Sequence, residues 1–385
     1  APTIASFTST TANGTYKAGS AINITATTSE AVQTGATITV TLDTGATVTL
    51  TRATATTLTG TYTVAAGQST SDLTVTSFTA GTVLDVAGNQ LTSTAVPSDA
   101  NNIAGSKDIV IDALGPTIAS FSSTTANGSY KAGATINITA TTSKPVQAGA
   151  SITVTLDTGA TVTLTRATAT TLTGTYTVLA SHNTSDLTVT SFTAGTVLDL
   201  DGSPLTITTV PGGANNIAGS KDIVVDNITP TIASFSSTTA NGSYKAGDSI
   251  NITATTSEDV RAGATLTVTL NTGATVTLTR TTANARTLTG TYTVAAGHNT
   301  ADLTVTSFTA GTVLDIAGNQ LTSTTLPTGT SNIAGSKDIV IDTIAPTIAS
   351  FTSTTANGTY KAGSAINITA TTSEAVQTGA TITVT

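Results

Sequence analysis

Residues 36–51 read ATITVTLDTGATVTLT. Ile38, Val40 and Leu42 alternate with Thr37, Thr39 and Thr41, and Val48 and Leu50 then alternate with Thr47, Thr49 and Thr51. A period of two puts the apolar set on one face of an extended chain and the threonines on the other. Between the runs stands Asp43-Thr44-Gly45, which is turn chemistry. The stretch therefore reads as two half-buried strands joined by a tight turn, with β-branched Thr on the solvent face.

The same alternation continues on both sides. It predicts strands over 3–9, 21–29, 36–43, 46–52, 57–64, 72–78 and 107–112, with Ile22, Ile24 and Ala26, then Leu58, Tyr62 and Val64, turned inward. Gly60 stands where a side chain would otherwise sit, and Asn13-Gly14, Gly35, Gly67 and Gly88-Asn89 mark turns. No segment has helical periodicity. About seven short strands per ~114 residues is the pattern of an immunoglobulin-like β-sandwich. The expected class is all-β.

The unit repeats. PTIASF begins at Pro2, Pro116, Pro230 and Pro346, at spacings of 114, 114 and 116 residues. The two extra residues of the third copy fall in RTTANARTLTG, residues 280–290, before a strand. The last 41 residues, 345–385, are identical to residues 1–41. This divides the chain into repeats at 1–114, 115–228 and 229–344 and a partial repeat at 345–385 with three strands, in a tandem, extended rod. Three strands cannot close a sandwich. The partial repeat is expected to begin a fourth domain or to pair with another chain, and the whole to be a window on a longer array.

Composition narrows the function. The net charge of −8 makes nucleic acid an unsuitable partner. Only 9% of residues are charged, so the chain is not a polyelectrolyte tail. Cys is absent, which removes disulfides and thiolate metal sites and suits a long exported protein. No apolar run reaches transmembrane length, so no direct membrane insertion is expected in this window. No initiator Met is present, so a processed or partial chain is expected.

The segments YKAGSAINITATTSEAV, GTYTVAAGQSTSDL, TVLDVAGNQLT and KDIVIDALGPTI resemble the tandem bacterial Ig-like repeats of giant cell-surface adhesins and related surface-layer or filament proteins. The likeness covers essentially the whole chain. It implies secretion, a stalk-like array and calcium at domain junctions.

The junctions also point there physically. KDIVIDALGPTIASF (residues 107–121) recurs as KDIVVDNITPTIASF and KDIVIDTIAPTIASF, so a strand ends on Asp112, Asp226 or Asp342 just before Pro116, Pro230 or Pro346. In an up-and-down sandwich, the loop after the second strand and the segment before the last strand face the incoming linker. Those positions hold Glu30, Asp85 and Asn89 in repeat 1, and Asp199 and Asp201 in repeat 2. They hold Glu258, Asp315 and Asn319 in repeat 3, and Glu374 in the partial copy. Crowded carboxylates repel unless a cation sits among them, and Ca²⁺ takes six to eight oxygen ligands. Pro fixes φ and stiffens the linker. The competing reading is that each Asp simply caps a turn. Repeat 2 departs from the pattern: TSKPV places Lys144 where the others carry Glu. Its ammonium is expected to substitute for the ion beside Asp112, making that joint the least calcium-dependent.

Other features carry less. His182 and His298 occupy a position filled by Gln68 in repeat 1, which argues against a catalytic base. No phosphate loop, nucleophile elbow or zinc spacing appears, so no enzyme is expected. Paired Thr runs could form an ice-binding ladder, but a twisted sheet presents a poor flat array. The expected function is a non-enzymatic extracellular, cell-surface spacer, the stalk of an adhesin or the body of a filament. A surface-layer subunit or a carbohydrate- or ice-binding module are the alternatives. Its partners would be other copies of the array, through lateral or strand-exchange association.

Overall fold

The computed structural model describes residues 1–282 and 285–385; Ala283 and Asn284, within the expected insertion, lie outside the described residues. The chain forms two compact units, Ala1–Asn227 and Ile228–Thr385. It is all-β, and the first unit holds two copies of one arrangement.

In the first copy the strands are β1 (Ile4–Thr8), β2 (Gly14–Tyr16), β3 (Ala21–Thr28), β4 (Thr37–Leu42), β5 (Thr47–Arg52), β6 (Thr57–Thr63), β7 (Ser69–Thr70), β8 (Val75–Thr79) and β9 (Ile109–Asp112). All seven expected strands are present, each within three residues of its predicted bounds. Alternation works as read: β4 is buried at Ile38, Val40 and Leu42 and β3 at Ile22, Ile24 and Ala26, all at 1% exposure or less. Each such Ile or Leu contributes roughly 1.5–3 kcal/mol by leaving water.

The pairing of these strands is where the structure adds to the sequence. Six strands join in one sheet, ordered β1-β3-β6-β5-β4-β8. β5 pairs with β4 over five residues but meets β6 only at Thr51–Thr59 and Arg52–Leu58. There the sheet turns a corner. Gly60 makes the turn possible, because a Cβ on it would lie 2.5 Å from the Thr49 carbonyl oxygen and 2.7 Å from Leu50. The curl brings the two sheet edges together: Phe7 of β1 and Phe78 of β8 meet edge to face, with ring centroids 5.5 Å apart. The sheet is thus barrel-like around one core. The same ring pair recurs as Phe121–Phe192 and Phe235–Phe308.

β9 closes the core with Ile109 and Ile111, and pairs in parallel with β2 and antiparallel with β7. β2 is a short strand that the Asn13-Gly14 turn signal concealed. The segment before β9 holds a 3-10 turn, Asp99–Asn101, and a four-residue helix α1, Ile103–Ser106. No helix was expected there, because one turn leaves no periodic signal. Buried Asn102 organises it: its side chain accepts from the Val75 and Ile103 N–H groups at 3.1 and 2.8 Å and donates to the Val75 carbonyl at 2.9 Å. Asn216 and Asn332 do the same in the later copies.

Residues 118–225 and 232–341 repeat this sheet order. In the second unit, strands Ile348–Thr352 and Thr369–Thr372 then pair with the same bulged register as β1 and β3. The third strand expected in residues 345–385 does not form. In the first copy β4 is held between β5 and β8, and no counterpart of either follows in 345–385. Phe351 is accordingly 52% exposed where its twin Phe7 is fully buried. Among the described residues, no helix is long and apolar enough to cross a membrane.

Candidate functional site

The loop after β3 is built by its TSE or TSK triplet. In the first copy Thr28 Oγ1 donates to the Glu30 carbonyl at 2.7 Å, and Ser29 Oγ accepts from the Thr3 N–H at 3.0 Å. Thr142, Thr256 and Thr372 hold the carbonyls of Lys144, Glu258 and Glu374 in the same way, at 2.8, 2.7 and 2.6 Å. Ser143, Ser257 and Ser373 likewise take the N–H of Thr117, Thr231 and Thr347. One backbone position therefore carries Glu, Lys, Glu and Glu in turn, pinned beside the strand that follows the linker proline.

The segment after β8 lies next to it, since Val32 bridges Asp85, Val146 bridges Asp199 and Val260 bridges Asp315. Asp85 is buried and fixes its own loop. It accepts from the Asn89 N–H at 2.8 Å and from the Asn89 side chain at 2.7 Å. The Asn89 amide is the main cause that holds its carboxyl below the usual range, against the opposing effect of burial. The Asn89 and Ala87 N–H groups and the Ala1 amino group act in the same direction. That amino group lies 3.5 Å from Glu30 and 3.9 Å from Asp85. Asp315 is held in the same manner by the Gly318 and Asn319 N–H groups and by Asn319 Nδ2 at 2.6–2.8 Å. Glu258 brings a carboxylate oxygen within 4.8 Å of one of Asp315.

The joint between the two copies of the first unit shows what closes such a pole. Lys144 Nζ donates to Asp112 Oδ1 at 2.7 Å, to Asp112 Oδ2 at 2.8 Å and to the Leu114 carbonyl at 2.8 Å. The last strand of one copy is thereby tied to the pinned loop of the next. Asp112 also accepts from the Leu114 N–H at 3.3 Å, so it is a turn residue and an ion-pair partner at once. The linker is tight: a Cβ on Gly115 would overlap the carbonyl of Pro204. In repeat 2 Asp199 accepts from the Ser203 and Asp201 N–H groups at 2.8 and 3.1 Å, and Asp201 itself is exposed.

The other linker carboxylates sit as follows. Asp226 follows strand Ile223–Val225, and its N–H donates to the Tyr130 carbonyl at 2.9 Å. Asp342 caps its own turn by accepting from the Ile344 N–H at 3.0 Å. Glu374, pinned where Lys144 sits in repeat 2, has a buried Oε1 with no hydrogen-bond partner. A buried carboxylate oxygen without a donor is costly, and a cation would relieve it. The donors gathered around this position are all hard oxygens, which fits Ca²⁺ rather than a soft transition metal.

The histidines are structural. His182 Nδ1 lies 2.8 Å from the Tyr176 hydroxyl and 3.2 Å from the Leu179 N–H that it accepts from. Gln68 Oε1 does the same work for Tyr62 and Ala65 at 2.7 and 2.8 Å. One acceptor atom is all the loop needs, which is why Gln and His interchange. A cleft of about 370 Å³ beside the first linker is lined by Leu114, Pro116, Lys144 and Ile207 among others, with no aromatic side chain.

Sequence reasoning missed two parts of this site. The Leu114 carbonyl is a backbone ligand and leaves no residue-type signal. The Thr-Ser pair before Glu or Lys is visible in the sequence, but its role as a two-point anchor emerges only from the pairing with Thr3.

The sequence matches no protein-family model and no curated protein. Among solved structures, one that bears on host cell surface retention of a 1.5-MDa bacterial ice-binding adhesin is 17% identical, with a TM-score of 0.34, covering 85% of this chain and 92% of that one. A Ca²⁺-stabilized adhesin with which an Antarctic bacterium binds ice is 16% identical, with a TM-score of 0.29, covering 88% and 74%. A DUF4785 protein of Legionella pneumophila is 10% identical, with a TM-score of 0.20, covering 86% and 85%.

Proposed function

We propose that the chain is a non-enzymatic length of an extracellular array, the stalk of a bacterial surface adhesin or the body of a surface filament. Immunoglobulin-like modules follow one another as a rod, and a cation closes each joint. The observation that carries this reading is the Lys144 ammonium, held by Asp112 and the Leu114 carbonyl across the first joint. Where the pinned position carries Glu258 or Glu374, calcium takes the place of the ammonium. Its ligands within the second unit are Glu258 with Asp315 of the following loop, and Glu374 with the linker carboxylate Asp342. At the first repeat Glu30, Asp85 and Asn89 offer the same set to a preceding module.

Extracellular calcium modules bind with Kd of roughly 0.1–1 mM. At about 10 mM calcium each site contributes about 1.4–2.7 kcal/mol. That is modest for a folded module and large for a hinge. Calorimetric titration of the whole chain with CaCl₂ tests the reading. Millimolar or tighter binding that loses one site in Glu258→Gln is expected; no calcium uptake by the wild type contradicts it.

A further inference from the structure

We propose that Lys144 is a built-in replacement for the divalent cation, so that the first joint is closed by the chain itself and takes no calcium. This deepens the reading above and rests on it for the joints that carry Glu. Three observations support it. The first is saturation. An ammonium has three donors, and all three are spent on Asp112 Oδ1, Asp112 Oδ2 and the Leu114 carbonyl at 2.7–2.8 Å. Those are the oxygens a divalent ion would need from this linker, and two cations cannot share them.

The second is equivalence of position. Thr142 holds the Lys144 carbonyl, and Ser143 the Thr117 N–H, as their counterparts do in the other copies. Lys144 differs from Glu374 in charge and not in placement, and Glu374 leaves Oε1 buried without a partner. The third is a set of changes on one pole of repeat 2. Lys144 replaces Glu, Asp201 replaces Ala87 or Ala317, and Ser203 replaces Asn89 or Asn319. The added Asp201 offsets part of the charge reversal at 144. Lys17 of the preceding repeat also reaches this loop, with Nζ 3.7 Å from where a Cβ on Gly202 would stand. The pole thus holds three carboxylates, Asp112, Asp199 and Asp201, with the Lys144 ammonium bound to the first of them. The array then answers calcium unevenly: loss of the ion frees the Glu joints and leaves the Lys joint closed.

The test uses the whole 385-residue chain with Lys144→Glu and Lys144→Gln, each checked for folding by circular dichroism. Two readouts are combined: the number of calcium ions bound by calorimetry, and the rate of proteolysis in the linker at residues 112–117. The wild-type linker is expected to resist cleavage equally with calcium and with chelator. Lys144→Gln is expected to be cleaved faster in both. Lys144→Glu is expected to bind one more calcium than the wild type, with linker cleavage about 10- to 100-fold slower at about 10 mM calcium than in chelator. If the wild type binds calcium and Lys144→Glu binds no more, this inference is overturned while the proposed function stands. Calcium binding by neither overturns both.

Discussion

Lys144 Nζ stands 2.7 and 2.8 Å from the two carboxylate oxygens of Asp112, thirty-two residues earlier and in the preceding repeat. Both side chains keep about a third of their exposure, so solvent screens the pair. Its bidentate form and the third bond to Leu114 lift it above an ordinary surface contact. Lys144→Ala is expected to cost about 1 kcal/mol in urea unfolding at low salt, and clearly less at about 0.5 M NaCl. A loss that does not change with salt would show that Lys144 acts through packing instead.

Gly115 has no counterpart at the other linkers, which carry Thr229 and Ala345. A Cβ there runs into the Pro204 carbonyl. Gly115→Ala is therefore expected to open the first joint and destabilise the first unit by about 1–3 kcal/mol. Unchanged urea midpoints would mean that the linker has room that the structure does not show.

Tyr176 is buried and needs one acceptor for its hydroxyl. His182→Gln should keep the bond, as Gln68 does in repeat 1, and leave the melting temperature nearly unchanged. His182→Ala should cost about 1–2 kcal/mol by stranding the hydroxyl. Equal effects of the two substitutions would contradict this account of the loop.

Asp85 has its carboxyl pKa lowered in the folded state, chiefly by the Asn89 amide. A lowered folded value means that its stabilisation is fully present above the unfolded value of about 3.9 and is lost as pH falls through the folded one. The stability gap between wild type and Asp85→Asn should stay constant from pH 7 down to about 4 and close below it. A gap that changes between pH 5 and 7 would assign the loop to another group.

The strands were legible because Thr alternates with Ile, Val and Leu, and because the repeat presents the same signal three times over. Their assembly was not. Nothing in the pattern of β5 and β6 says that they part beyond Thr51–Thr59, and Gly60 reads as a gap until Thr49 is seen behind it. The parallel pairing of β2 with β9 joins segments some 95 residues apart, beyond any local signal. At the joint, residue type revealed the carboxylates and the odd Lys144. The anchoring hydroxyls of Thr142 and Ser143 and the Leu114 carbonyl emerged only when the chain was folded.

The most direct test of cation-closed joints is small-angle X-ray scattering of the whole chain, first with calcium and then with excess chelator. At about 3.3 Å of rise per residue each module spans roughly 4 nm, so three in a stiff row give a maximum dimension near ~12 nm. The account predicts that dimension with calcium, and a broadened, flexible profile in chelator. Identical profiles in both would contradict it and leave Asp226 and Asp342 as turn residues alone.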